Sequence, residues 1–311
     1  MSKKYTILFL FLPIALPSLV LSQEIKTFKI SDFNLNGNVK SCLVITDYGK
    51  EEYYFDTTGR LTKSITRFNE FDYETTYYKY QNKELIEKRV ENYRDNAFDK
   101  ATSLANFYAI DTSANRKVTE KIVSYTNKQL LEQNVYRYNA KGQLIKMTRT
   151  DTDGTDENII SHDTIDGKNT VTQTLNEKPL EVVRSWNEES ENGTLLTLKT
   201  VEKYFDGVLN TKSQEVYNND KKLISKTDSL FDTPTEKWIS QEQISYTYGE
   251  NGILAKTETN RGNLMITKEY IYQFDGTENN NWVKEIITPD NTYKTRKIKY
   301  YEAPKLPKED Q

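Results

Sequence analysis

Tyr53-Tyr54-Phe55-Asp56-Thr57-Thr58-Gly59-Arg60-Leu61-Thr62-Lys63 is the stretch from which the rest of the chain can be read. Its aromatics at i and i+2, Tyr53 and Phe55, share one face of an extended strand, because side chains alternate across the pleat. Asp56 to Gly59 has turn chemistry, with a glycine to accept positive φ. Leu61 then runs back along the outgoing strand, where it can pack across the hairpin against the rings.

The spacing recurs in Tyr136, Tyr138, Gly142 and Leu144, and again in Tyr246, Tyr248, Gly252 and Leu254. Tyr217 and Leu223 keep the core of the unit without the first aromatic. Tyr78, Tyr80 and Leu85 form a copy one residue shorter, while Tyr272, Phe274 and Trp282 enclose a longer turn. A hairpin this thin is not stable alone, so neighbours must stack.

Beneath this motif runs a plainer rhythm of turn pairs, among them Asn36-Gly37, Asn82-Lys83, Asn127-Lys128, Asp153-Gly154, Asp166-Gly167, Asn192-Gly193, Asp206-Gly207 and Asp290-Asn291. Such pairs suit tight hairpins, whose central residues need positive φ. Between them lie Tyr, Thr, Val and Ile mixed with Lys and Glu, as in Thr170 to Leu175, a composition of strands with at least one wet face. The expected fold class is all-β, a meander of antiparallel β-hairpin repeats forming a long twisted or coiling sheet. One segment departs from the rhythm: Ala97, Ala101, Ala105 and Ala109 recur every four residues, which fits a helical insertion near 95–114.

The motif resembles the YD-repeat, or rearrangement-hotspot (RHS) element, whose unit reads roughly Tyr-x-Tyr-Asp-x-x-Gly-Arg-Leu. Tyr53 to Leu61 matches every specified position except Phe55, and the copy at Tyr136 departs at Asn139 and Gln143. The resemblance implies antiparallel hairpins joined into coiling sheets, in secreted or surface-exposed bacterial proteins. Large members wrap shells around toxic cargo, which this chain is too short to do.

The N-terminus adds Lys3-Lys4, an apolar run from Ile7 to Leu21 broken by Pro13 and Pro17, and small residues at Val20 and Ser22. That layout is a signal peptide, expected over 1–22 with cleavage after Ser22. The run is short of the roughly 20 residues a spanning helix needs, so no membrane span is expected after cleavage. Residues 23–301 then form the repeat domain and 302–311 a polar tail. The expected destination is outside the cytoplasm: periplasm, cell surface or medium.

Lone Cys42 excludes an internal disulfide and reads as a buried small residue. The net charge is -3, with 43 basic and 46 acidic residues interleaved, so no nucleic-acid stripe is present. Hydrophobic residues make up 36%, and that count includes the 22 tyrosines, which favours pleated, half-wet packing over a thick core. An outer-membrane barrel would need an uncharged lipid-facing band, yet in Lys83 to Arg89 charges fall at both odd and even positions.

Catalytic chemistry has little material. His162 is the only histidine, so His-based triads and multi-histidine metal sites have little to work with, and it reads as an ordinary strand residue. Asp151 to Glu157 alternates oxygen ligands like a calcium loop, but its glycine is at position 4 and position 12 is His162, so a hairpin turn is the better reading. No cofactor motif is visible, and no catalytic, cofactor-binding or metal residue is expected. The reading is thus a non-enzymatic binding or structural module at the cell envelope, recognising an unknown protein or glycan over an extended face. A carbohydrate-binding accessory protein is the alternative, and a carboxylate-based hydrolase stands behind it.

Overall fold

The computed structural model describes residues 25–302. The expected leader, and the polar tail beyond Glu302, lie outside the described residues.

The first strands are β1 (Val39–Thr46), β2 (Gly49–Phe55), β3 (Leu61–Arg67), β4 (Tyr73–Gln81), β5 (Glu84–Arg94), β6 (Ala97–Asp111) and β7 (Lys117–Ser124). There follow β8 (Leu130–Tyr138), β9 (Leu144–Asp151), β10 (Thr155–Ile165), β11 (Lys168–Leu175), β12 (Lys178–Glu189), β13 (Leu195–Phe205) and β14 (Val208–Tyr217). The remaining strands are β15 (Leu223–Asp232), β16 (Lys237–Tyr248), β17 (Leu254–Arg261), β18 (Leu264–Phe274), β19 (Trp282–Thr288) and β20 (Thr292–Tyr300). Each pairs antiparallel with its neighbour in sequence, so the meander expected from the turn rhythm is formed.

Its closure corrects the open, coiling sheet. β1 pairs antiparallel with β20, setting Cys42 opposite Ile298 and Val44 opposite Arg296. The sheet is therefore a 20-stranded barrel. Closure removes both edges, whose unpaired backbone groups an open meander would leave exposed.

The helical insertion is also corrected: residues 97–111 are β6, the longest strand. The four-residue alanine spacing is coincidental, because Leu104, Asn106, Tyr108 and Ile110 share one face of the strand and pair with Ser124, Ile122, Glu120 and Val118. Asp95 and Asn96 have φ of 49° and 60°, the paired left-handed residues of a tight hairpin turn. An irregularity where Val90 pairs with Leu104 but Asn92 with Asp99 disturbs the apolar rhythm further.

Strand parity gives the barrel two unlike ends. Turns from even to odd strands, and the segment leading into β1, lie at one rim; turns from odd to even strands lie at the other. Every motif turn falls on the first, here the motif rim. The inner face holds two packed clusters, one of Val118, Tyr136, Tyr138, Leu144, Met147 and Ile160, the other of Leu35, Val39, Cys42, Phe55 and Leu61. The second is completed by Phe28, Ile30 and Phe33 of the N-terminal segment, whose short 3-10 turn spans Ile30–Phe33. Asn281 ties that segment to the wall by accepting from Asn36 N at 2.8 Å and donating to Asn36 O at 2.9 Å.

The outer face is charged and aromatic. Lys63 lies 3.9 Å from the Tyr54 ring centroid and Lys168 4.0 Å from that of Trp186, while Arg67 pairs with Glu52 at 2.8 Å and Arg184 with Glu202 at 2.7 Å. Exposed apolar side chains, among them Phe107, Ile159 and Ile271, stand on the same face. Among the described residues no helix is long and apolar enough to cross a membrane.

Candidate functional site: the motif rim and the lumen

Three motif hairpins share one side-chain cap, and where Gly249 takes the acid's place the backbone bonds of the turn remain without it. Asp56 Oδ1 accepts from the backbone N–H of Thr58 (2.9 Å) and Arg60 (3.0 Å), while Asp56 Oδ2 takes the Arg60 guanidinium. Asn139 Oδ1 does the same for Lys141 and Gln143, and Asn218 Oδ1 for Lys222. Gly59 sits at φ 78°, and in the Tyr217 copy Lys221 takes the equivalent position at φ 59°. A bulge follows, so that Phe55 faces Leu61, Tyr138 faces Leu144, Tyr217 faces Leu223 and Tyr248 faces Leu254. Tyr80 faces Leu85 and Phe274 faces Trp282 across the same irregularity.

Sequence reasoning missed how one hairpin holds the next. The Tyr80 hydroxyl donates to Leu61 O at 2.8 Å, while Arg60 stacks 4.9 Å from the Tyr80 ring centroid. Tyr248 repeats this with Leu223 O at 2.8 Å and Lys222 at 5.3 Å. The basic residue and the leucine of one turn thus both engage the second aromatic of the following hairpin. His162 occupies that place after Leu144, with Nε2 2.8 Å from Leu144 O. Two further turns belong to the same set: Arg116, in a turn the sequence rhythm does not mark, stacks on Tyr138 at 5.7 Å, and the Asn192-Gly193 turn, Ser190 to Thr194, has the motif's backbone bonding without its aromatics.

The lumen has three distinct regions. Beneath the N-terminal segment, Arg296 stacks 3.4 Å from the Trp282 ring centroid and donates to Phe33 O (3.0 Å) and Asn34 O (3.2 Å). A cavity of about 1140 Å³ adjoins it, lined also by Tyr53, Glu51, Glu285 and Lys294. Farther round, buried Glu120 accepts from Asn106 Nδ2 (2.7 Å), Asn134 Nδ2 (3.2 Å) and the Tyr136 hydroxyl (2.9 Å). Neutral donors thus satisfy this buried carboxylate.

The third region is a cavity of about 720 Å³ over β10 to β16. Val171, Val183 and Val201 give it an apolar floor, and its sides alternate lysines with carboxylates. Lys199 meets Glu215 at 3.2 Å, Lys226 meets Asp228 at 2.7 Å, and Lys203 stands 4.0 Å from Glu181. Burial pushes the Glu181 carboxyl above its ordinary range, with Lys203 and Lys199 pulling the other way. A recess of this kind suits a small polar solute with one apolar face. Among the described residues, no group of three or more His, Cys, Asp or Glu is placed to hold a metal ion.

No protein-family profile matches the chain, and no curated protein matches it. Among solved structures it is similar to a porin-like protein from Bacteroides uniformis, with a TM-score of 0.33 and 11% identity over 85% of this chain and 99% of that one.

Proposed function

We propose that this protein is an exported, non-enzymatic barrel of YD-like hairpins that serves as a binding module at the cell envelope and holds its ligand in the lumen. The observation that carries the reading is the cavity over β10 to β16, where Lys199, Lys203 and Lys226 converge with Glu181, Glu215 and Asp228 above a valine floor. Its charges neutralise one another in pairs, an arrangement suited to orienting a polar guest rather than to activating a nucleophile. Each tryptophan carries a cation over one ring face, from Lys168, Lys212 or Arg296, which leaves less open ring for stacking on a sugar.

The test is native mass spectrometry of protein recovered from its host envelope fraction, followed by thermal shift with the molecule found. A true ligand at about 100 times its Kd adds ~2.7 kcal/mol to stability. Lys199→Met with Lys203→Met should abolish that gain. A guest whose stabilisation survives both substitutions, or a protein recovered empty and unresponsive to the envelope's own small solutes, would overturn the reading.

A further inference from the structure

We infer that the rim opposite the motif turns is a docking edge for the surface of a zwitterionic phospholipid bilayer. Among the described residues the seven most exposed large hydrophobic side chains, from Phe71 at 54% to Tyr48 at 82%, all lie on odd-to-even turns or their flanks. Tyr48 is on the β1–β2 turn, Phe68 and Phe71 on β3–β4, Phe205 on β13–β14, and Met265 beside its neighbour Leu264 on β17–β18. The motif rim carries polar Asp, Asn, Gly and Lys turns instead. Solvation alone gives no reason for so one-sided a distribution.

The placement selects the occupant. These hairpins stand on different sides of the barrel mouth, whose perimeter is at least ~96 Å for twenty strands spaced about 4.8 Å apart, and larger with strand tilt. Separate tips at that spread reach their surroundings together only against something flat and broad. A bilayer accepts each of them without a matching pocket, which a protein partner would have to supply tip by tip.

The tips are also built to leave bulk water. Asn69 Oδ1 accepts the backbone N–H of Phe71 and of Asp72, both at 2.7 Å, and Asn96 N donates to Phe71 O at 2.8 Å. Several of the loop's backbone groups are thereby satisfied internally while its rings project, which lowers the cost of entering an interface. Nearby charges are paired locally, Lys178 with Asp206, Arg261 with Glu242 and Lys268 with Asp290. The acids that remain at the tips, Asp47 beside Tyr48 and Glu70 between Phe68 and Phe71, are exposed, so the edge offers an anionic lipid no attraction, and docking rests on the apolar side chains and depends little on salt.

The inference is independent of the lumen ligand and is tested on the exported protein with phosphatidylcholine vesicles. Wild type should cosediment equally in low and high salt. A Tyr48→Ser, Phe68→Ser, Phe205→Ser, Met265→Ser variant should partition at least about tenfold less while melting as wild type does. Both proteins share the same N-terminal stretch, so the difference reports on the rim. Because Cys42 is buried, a cysteine placed singly takes an environment-sensitive label cleanly. Label at Phe205→Cys should shift to the blue with vesicles, and label at Asn192→Cys on the opposite rim should not. Equal cosedimentation of the variant, a shift at Asn192→Cys alone, or rim-dependent self-association without vesicle binding would each overturn the inference, the last in favour of a second copy of the chain.

Discussion

Asp56 shows how much one side chain can do within a four-residue span, bonding to both Thr58 and Arg60. Burial pushes its carboxyl up, but hydrogen bonds from Thr58 and Arg60 outweigh that and hold it below the usual carboxylate range. A carboxylate depressed in the folded state contributes stability that is present above its unfolded pKa and lost as pH falls through the folded one. Asp56→Asn should therefore flatten the acid limb of the melting temperature below about pH 4. Asp56→Ala, which also leaves two turn N–H groups without their acceptor, should cost ~1–2 kcal/mol by denaturant titration. Cys42 gives a second residue-level outcome: burial raises its thiol to about 11, with Arg296 opposing. It should be silent to a thiol reagent at pH 8 in the native protein and react once the protein is unfolded.

Between hairpins, the contact that matters is the one a single motif copy cannot display. Tyr80→Phe removes the donor to Leu61 O and should cost ~1 kcal/mol, and a double-mutant cycle of Arg60 with Tyr80 should return a coupling of ~0.5–1 kcal/mol. A coupling of zero would mean that the stacking seen at 4.9 Å is incidental. The hairpins themselves were legible because Asn, Asp and Gly pairs mark positive φ locally, at Asn82-Lys83 and Asp166-Gly167 for example. β6 was misread because alanines tolerate either period, and the residues that decide its face, Asn106 and Tyr108, are polar or amphipathic. The turn at Asn176-Glu177, with φ of 48° and 69°, was missed for want of a glycine. Of the candidate site, the motif aromatics could be named in advance, but the lumen cavity could not. Its Lys199, Glu215 and Lys226 become neighbours only through cross-strand register.

At the scale of the molecule, closure was invisible in the sequence because it depends on partners some 245 residues apart, such as Asn36 and Asn281. It is directly testable at the seam. Leu43 faces Lys297 across β1 and β20, so Leu43→Cys with Lys297→Cys, in a Cys42→Ser background, should oxidise to an intramolecular disulfide visible by intact mass. The bond should add up to about 5 kcal/mol by restricting the unfolded chain. A pair that stays reduced, or that links two molecules, would open the ring. The antiparallel seam also carries an arithmetic rule for the growth of such proteins. Alternating strands meet head to tail around a circle only when their number is even, so descendants of this architecture should gain or lose whole hairpins. A lone added strand would turn the joint parallel and carry the chain's exit to the opposite mouth.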